Sequence, residues 1–186
     1  MPKRLKKLSE EVLHENPWWI HKHDTYEKPD GIVGDYFYLE THGGAAAIVP
    51  VLPDGRIILI LQYRYLMDKQ SIEFPIGGIG KDCSPIEGAK RELLEETGYK
   101  ATDWIKLGAF EPSNGLTKDM THAFLAHVVE DRANQQLDET EDIEVLYRRP
   151  DEVEDMICRG DIWDGQTLAI WALVRHHLLN KHTNHT

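Results

Sequence analysis

The sequence predicts an α+β fold, a mixed sheet flanked by two or three helices. Three observations predict it. β-rich apolar runs of strand length recur along the 186 residues, among them "AAAIVPVL" (45–52) and "RIILILQYRY" (56–65). Helical segments start near Pro85, Pro150 and Asp164. Strands and helices interleave without a regular βαβ rhythm, which points to a mixed rather than a parallel sheet.

Taken in order, the part before about Gly44 mixes aromatic and polar residues. In it, the alternation of Asp35 to Thr41 reads as a strand, preceded by a turn at "KPDG". The two apolar runs at 45–52 and 56–65 are separated by "PDG", a hairpin signal. "IEFPIGG" (72–78) reads as one short strand running into a Gly-rich loop. A helix follows over Pro85 to Thr97. "WIKLGAFEP", "THAFLAHVV" and "EDIEVLYRRP" read as further strands, and "PDEVEDMICRG" as a helix ended by Gly160. The last helix, "DGQTLAIWALVRHHLLN", places Leu168, Trp171, Ala172, Val174 and Leu178 on a helical period. The tail at 181–186 is expected to fray.

The bulk numbers exclude several classes. A hydrophobic fraction of 41% and a charged fraction of 28% are those of an ordinary globular protein. A formal net charge of -11 argues against nucleic-acid partners and against membrane-surface binding. No apolar run approaches the roughly 18 residues needed for a span. The basic start "MPKRLKKLSEE" lacks the apolar segment of a secretory signal. Two cysteines, Cys83 and Cys158, make no disulfide framework, so a cytoplasmic location is the expectation.

The chemistry concentrates in "GGIGKDCSPIEGAKRELLEETGY" (77–99). Ser84, Pro85 and Glu87 form an N-cap, an N1 proline and a capping-box glutamate. Gly98 is placed to end the helix. Ile86, Ala89 and Leu93 make an apolar stripe. Glu92, Glu95 and Glu96 are related by three and four residues, so their side chains converge. Like charges at that spacing cost a few tenths of a kcal/mol per pair, roughly, and the helix C-terminus disfavours anions further. Arg91 offsets part of this through Glu95. A hard divalent cation would relieve the rest. A solvated acidic face is the bland alternative.

This stretch resembles the Nudix box, the signature of the Nudix hydrolases. Gly77, Arg91, Glu92, Leu93, Glu95, Glu96, Gly98 and Tyr99 fit it, while Cys83 stands where the family has its first Glu. The resemblance implies a Nudix α/β/α sandwich with an N-terminal antiparallel β subdomain. It implies Mg²⁺, with Mn²⁺ as a substitute, on Glu92 and Glu96. Glu95 either helps or is oriented by Arg91, and a backbone carbonyl near Ile76 completes the coordination.

"LILQYRY", "IEFPIGG", "LDETEDIEV" and "RGDIWDGQTLAIWAL" extend the resemblance to the branch that cleaves ADP-ribose and nucleoside diphosphate sugars. That branch implies a nucleotide-sugar substrate and a homodimer built through the N-terminal subdomain (1–43), followed by a catalytic domain (44–180). It implies substrate contacts by Arg64, Glu73, Trp19 and Asp119, with a surface salt bridge as the alternative for Arg64. The general base is a loop glutamate, with Glu139 the first choice and Glu141 the second. Aromatic residues of the first segment either stack on a purine or fill a dimer core. Asn114 in "SNGLTKD" replaces a Pro usual in the ADP-ribose branch, Asp119 replaces Glu, and Gly80 occupies a position that is often Glu.

Two other readings stand beside this one. Cys83, Asn114 and Gly80 fit a catalytically weak nucleotide-binding module. A different diphosphate, such as a dinucleoside polyphosphate or coenzyme A, fits the same box. His21, His23, His176, His177, His182 and His185 lack zinc-site spacing and read as surface and tail residues.

Overall fold

The apolar runs form strands and the capped segments form helices in the computed structural model, which describes residues 1–179. The tail at 181–186, with His182 and His185, lies outside the described residues. The strands are β1 (Lys6–Glu15), β2 (Trp19–Glu27), β3 (Val33–Thr41), β4 (Ala45–Val51), β5 (Ile57–Arg64), β6 (Lys69–Glu73), β7 (Ile76–Gly78), β8 (Tyr99–Phe110), β9 (Thr117–Lys118), β10 (Thr121–Arg132) and β11 (Ile143–Arg148). The helices are α1 (Pro85–Thr97), α2 (Pro150–Arg159) and α3 (Gly165–Leu179). Among the described residues no helix is long and apolar enough to cross a membrane.

The larger sheet runs β11-β5-β4-β10-β8, with β6 added to β5 and β7 to β4. It is mixed: β4 and β10 are parallel, and the other pairs are antiparallel. Strand alternation sends side chains to two cores. Ala47, Val49, Ile57, Leu59, Ala123 and Leu125 pack with Val153 and Met156 of α2 and Ile170, Trp171 and Val174 of α3. Ala46, Ile48, Ile58, Phe124 and Ala126 pack with Ala89 and Leu93 of α1. The result is an α/β/α sandwich. Each fully buried Leu, Ile or Phe stabilises it by roughly 1.5–3 kcal/mol.

The smaller sheet runs β1-β2-β3-β9. Its first three strands come from the first 43 residues, and its fourth comes from far downstream. No residue before Ala46 is buried. Charge pairs cross this sheet instead: Lys7 to Asp24 at 2.8 Å, Lys22 to Glu10 at 3.2 Å and to Glu40 at 2.6 Å, and Lys118 to Glu40 at 2.7 Å.

Several sequence expectations need correction. β1 and β2 lie in the mixed aromatic and polar segment, where residue patterns show no clear alternation. "IEFPIGG" is two strands, because Pro75 cannot donate to a ladder and the chain changes partner there, from β5 to β4. On α3, Leu168 and Ala172 are exposed; the buried stripe is Thr167, Ile170, Trp171, Val174 and Leu178. The run is apolar nearly all round, so its period does not choose a face.

Candidate active site

The site is built on the C-terminal half of α1. Ser84 caps the helix and Glu87 closes the capping box. Gly98, at φ 76°, ends it with its N–H on the Leu94 carbonyl at 2.9 Å. The buried Ala89 and Leu93 orient the helix, which turns Glu92 and Glu96 toward β7.

Glu92 lies against the backbone of Gly77. A Cβ on Gly77 would fall 2.0 Å from the Glu92 carboxyl carbon, so only glycine admits this approach. Glu96 is 6% exposed. Its Oε2 is buried without a partner. Burial first, then the charges of Glu92 and Glu141, push the Glu96 carboxyl up to about 9. Burial also raises Glu92, although Arg91 beside it pulls the other way.

Arg91 is the brace. It donates to Glu92 Oε1 at 2.7 Å and to the Gly78 carbonyl, and it lies 3.4 Å from Glu95 Oε2. Glu95 is half-buried beside it. Among the described residues no three Asp, Glu, His or Cys side chains gather at metal-ligating distance. The donors nevertheless fit Mg²⁺ or Mn²⁺. Two carboxylates suffice for an ion that keeps waters and takes phosphate oxygens, and a buried, unpartnered carboxylate oxygen asks for a cation.

A cleft of about 460 Å³ opens beside Gly77. Arg64, Ile76, Asp119, Gln166 and Trp18 line it. Arg64 is forked onto Glu73 through Nε at 2.8 Å and through Nη2. Glu73 is 1% exposed and also accepts from Gln62 at 3.3 Å. Its oxygens are thus spent on holding Arg64 and do not face the cleft. Asp119 accepts from Thr41 Oγ1 at 2.9 Å, and its N–H donates to Glu111 at 2.7 Å. Trp19 is absent from the cleft lining; its neighbour Trp18, 75% exposed, stands there instead. Tyr26, Tyr36 and Tyr38 line a separate cavity of about 570 Å³, with Asn114.

Of the two loop glutamates, the charge of Glu141 acts on both Glu92 and Glu96. Both Glu139 and Glu141 are exposed, and the Glu141 carboxylate accepts from the Asp138 N–H at 3.0 Å. Cys83 is exposed at the entrance to α1. Trp18 belongs to the aromatic first segment and Gln166 to "RGDIWDGQTLAIWAL", whereas Thr41 and Glu111 had no motif to mark them. Asp164, whose carboxylate caps α3 at the Thr167 N–H (2.7 Å), carried a readable N-cap signal.

A profile of the NUDIX domain matches residues 41–168. The chain belongs to the Nudix family. An ADP-ribose pyrophosphatase of Bacillus subtilis is 34% identical over 129 residues, covering 68% of this chain and 69% of that protein. A GDP-mannose pyrophosphatase of Yersinia enterocolitica is 30% identical over 195 residues, covering 97% of this chain and all of that protein. A crystal structure of an ADP compounds hydrolase shares the fold, with a TM-score of 0.83, 23% identity and 98% coverage of both chains. The Nudix match spans the α1 carboxylates, the loop of Glu141 and the cleft lining other than Pro17 and Trp18.

Proposed function

We propose that this Nudix protein hydrolyses the diphosphate of a nucleoside diphosphate sugar, with a divalent metal on Glu92 and Glu96, releasing a nucleoside monophosphate and a sugar phosphate. The observation that carries the reading is the buried Glu96 oxygen without a partner, beside a Gly77 backbone that leaves room for the Glu92 carboxylate. The relatives named for ADP-ribose and GDP-mannose support the substrate class.

Mg²⁺ or Mn²⁺, when bound, supplies Lewis-acid neutralisation of the diphosphate oxygens. Glu92 and Glu96 would hold it, with the Ile76 backbone carbonyl as a further oxygen. Arg91 keeps Glu92 and Glu95 in place. Arg64, pre-set by Glu73, offers its remaining guanidinium donors to a phosphate. Asp119 and Trp18 border the sugar and base end of the cleft.

Water attacks phosphorus, the bridging P–O bond breaks, and the water proton passes to a loop carboxylate. Glu141 takes that role ahead of Glu139, because its charge reaches the metal carboxylates. The N-terminal sheet pairs with a second copy to make a homodimer, which would bury the exposed Leu8, Val12 and Phe37.

The test is a panel of ADP-ribose, GDP-mannose, ADP-glucose, diadenosine polyphosphate and coenzyme A, with Mg²⁺ and with chelator. Metal-dependent release of a nucleoside monophosphate from a sugar substrate is expected. Tight binding without turnover would instead favour a binding module, and turnover confined to the last two compounds would move the substrate class.

A further inference from the structure

The last turn of a helix leaves carbonyls without partners. At α1 they are met by one short segment. Gln136 N–H donates to Glu95 O at 2.9 Å, Arg132 Nε to Thr97 O at 2.9 Å and Ala133 N–H to Gly98 O at 2.9 Å. The fourth contact is a second side chain. Gln135 Nε2 donates to Glu96 O at 2.6 Å and also to Ile143 O at 3.1 Å.

A primary amide has two N–H groups, and here they join two places distant in function. Glu96 is the buried carboxylate residue of the metal helix. Ile143 opens β11, directly after the acidic loop. The segment from Arg132 to Gln136 is therefore fixed on α1, and the free loop shrinks to residues 137–142. Within it, a turn is closed by Glu141 N–H on Asp138 O and by Asp138 N–H on the Glu141 carboxylate, both at 3.0 Å. No backbone ladder spans the loop, so its two ends are held together through the Gln135 side chain.

We propose that Gln135 is a positioning residue for hydrolysis: its amide staples both ends of the 137–142 loop to α1 and so fixes the place of Glu141 relative to Glu92 and Glu96. This rests on Glu141 as the base. An ordinary helix cap would satisfy the same Glu96 carbonyl but would have no consequence for Glu141. The two roles separate in a double-mutant cycle.

Gln135→Leu keeps the bulk and removes both donors. Misplacing the base by about an ångström lowers kcat by on the order of 10²-fold, with KM changed less than about threefold. In a Glu141→Gln background the same change costs less than about threefold, because there is no base left to misplace. Amide hydrogen exchange on the metal-free protein reads the staple without catalysis. Gln135→Leu speeds exchange at 138–142 by about tenfold or more, while the body of α1 is unchanged.

An equal loss of rate in both backgrounds, or unchanged exchange in the loop, overturns the proposal. Full activity of Glu141→Gln alone would sink the base assignment and the staple's purpose with it, while leaving the hydrolase reading intact. If Gln135→Leu fails to fold, Gln135→Asn withdraws the amide from one carbonyl and carries the same expectations.

Discussion

The two ends of this molecule are held by opposite means. Around α1, side chains are buried, oriented and mutually constrained: Gly77 admits Glu92, Glu96 is 6% exposed, and Arg91 ties Glu92 to the Gly78 carbonyl. In the N-terminal sheet nothing is buried, and both faces of β1 are exposed. There the ladder is supported by charge pairs such as Lys7–Asp24 and Lys22–Glu40. The Lys7–Asp24 pair is half exposed and, like surface pairs generally, contributes about 0–1 kcal/mol, while Lys22–Glu40 is more covered. The α1 region is held by buried side chains, whereas the N-terminal sheet leaves Leu8, Val12 and Phe37 exposed.

The sharpest way to break the contrast is at the buried end. Glu96→Gln removes the charge that meets the metal, and hydrolysis should fall by on the order of 10³-fold or more. Steady-state rates with Mg²⁺, alongside circular dichroism to show an intact fold, measure this. A near-normal rate would mean that the α1 carboxylates are not the metal platform. Next comes Glu141→Gln, with a loss of about 10²–10⁴-fold at nearly unchanged KM. Glu139→Gln should stay near the parent rate, and the reverse ranking would restore Glu139 as the base.

At the other end, Leu8→Asp or Val12→Asp should convert a dimer to a monomer and leave metal binding at α1 intact. Light scattering after gel filtration reads the mass, and a parent protein that is already monomeric would sink the dimer.

The pH dependence sharpens the same contrast. The Glu96 carboxyl is raised to about 9 in the folded chain, against a usual value of 4.5. The folded state therefore holds the proton more tightly than the unfolded one. The stability this lends is complete below about 4.5 and is lost as the pH rises through about 9. Denaturant titrations of metal-free protein should show that decline, and Glu96→Gln should remove it. Because the metal displaces the Glu96 proton, its affinity should strengthen over the same range.

The smallest effect is expected from Cys83→Glu. The side chain is exposed, and a surface change of this kind shifts energies by about 0.5 kcal/mol or less, roughly twofold in rate. A large gain would mean that the natural protein is a compromised enzyme.

Which parts were legible in the chain follows from how local each one is. α1 is visible from end to end, because Ser84, Pro85, Glu87 and Gly98 act within a turn of where they stand. The convergence of Glu92, Glu95 and Glu96 follows from helical spacing alone. Neighbouring strands β4, β5 and β10 show in their apolar runs. The buried face of α3 does not show, since its run is apolar nearly all round. Trp18 rather than Trp19 at the cleft, and Glu73 turned onto Arg64, depend on contacts between segments far apart in sequence.

Local chemistry thus determined helix α1 with its convergent carboxylates, the acidic loop and the alternation that makes two cores. Only the folded arrangement decided which aromatic borders the cleft, that Glu73 turns onto Arg64 and that Gln135 bridges α1 to β11. Caps and periodicities are set by backbone geometry over a few residues. The direction of a side chain in a cleft is set by whichever distant segment packs against it.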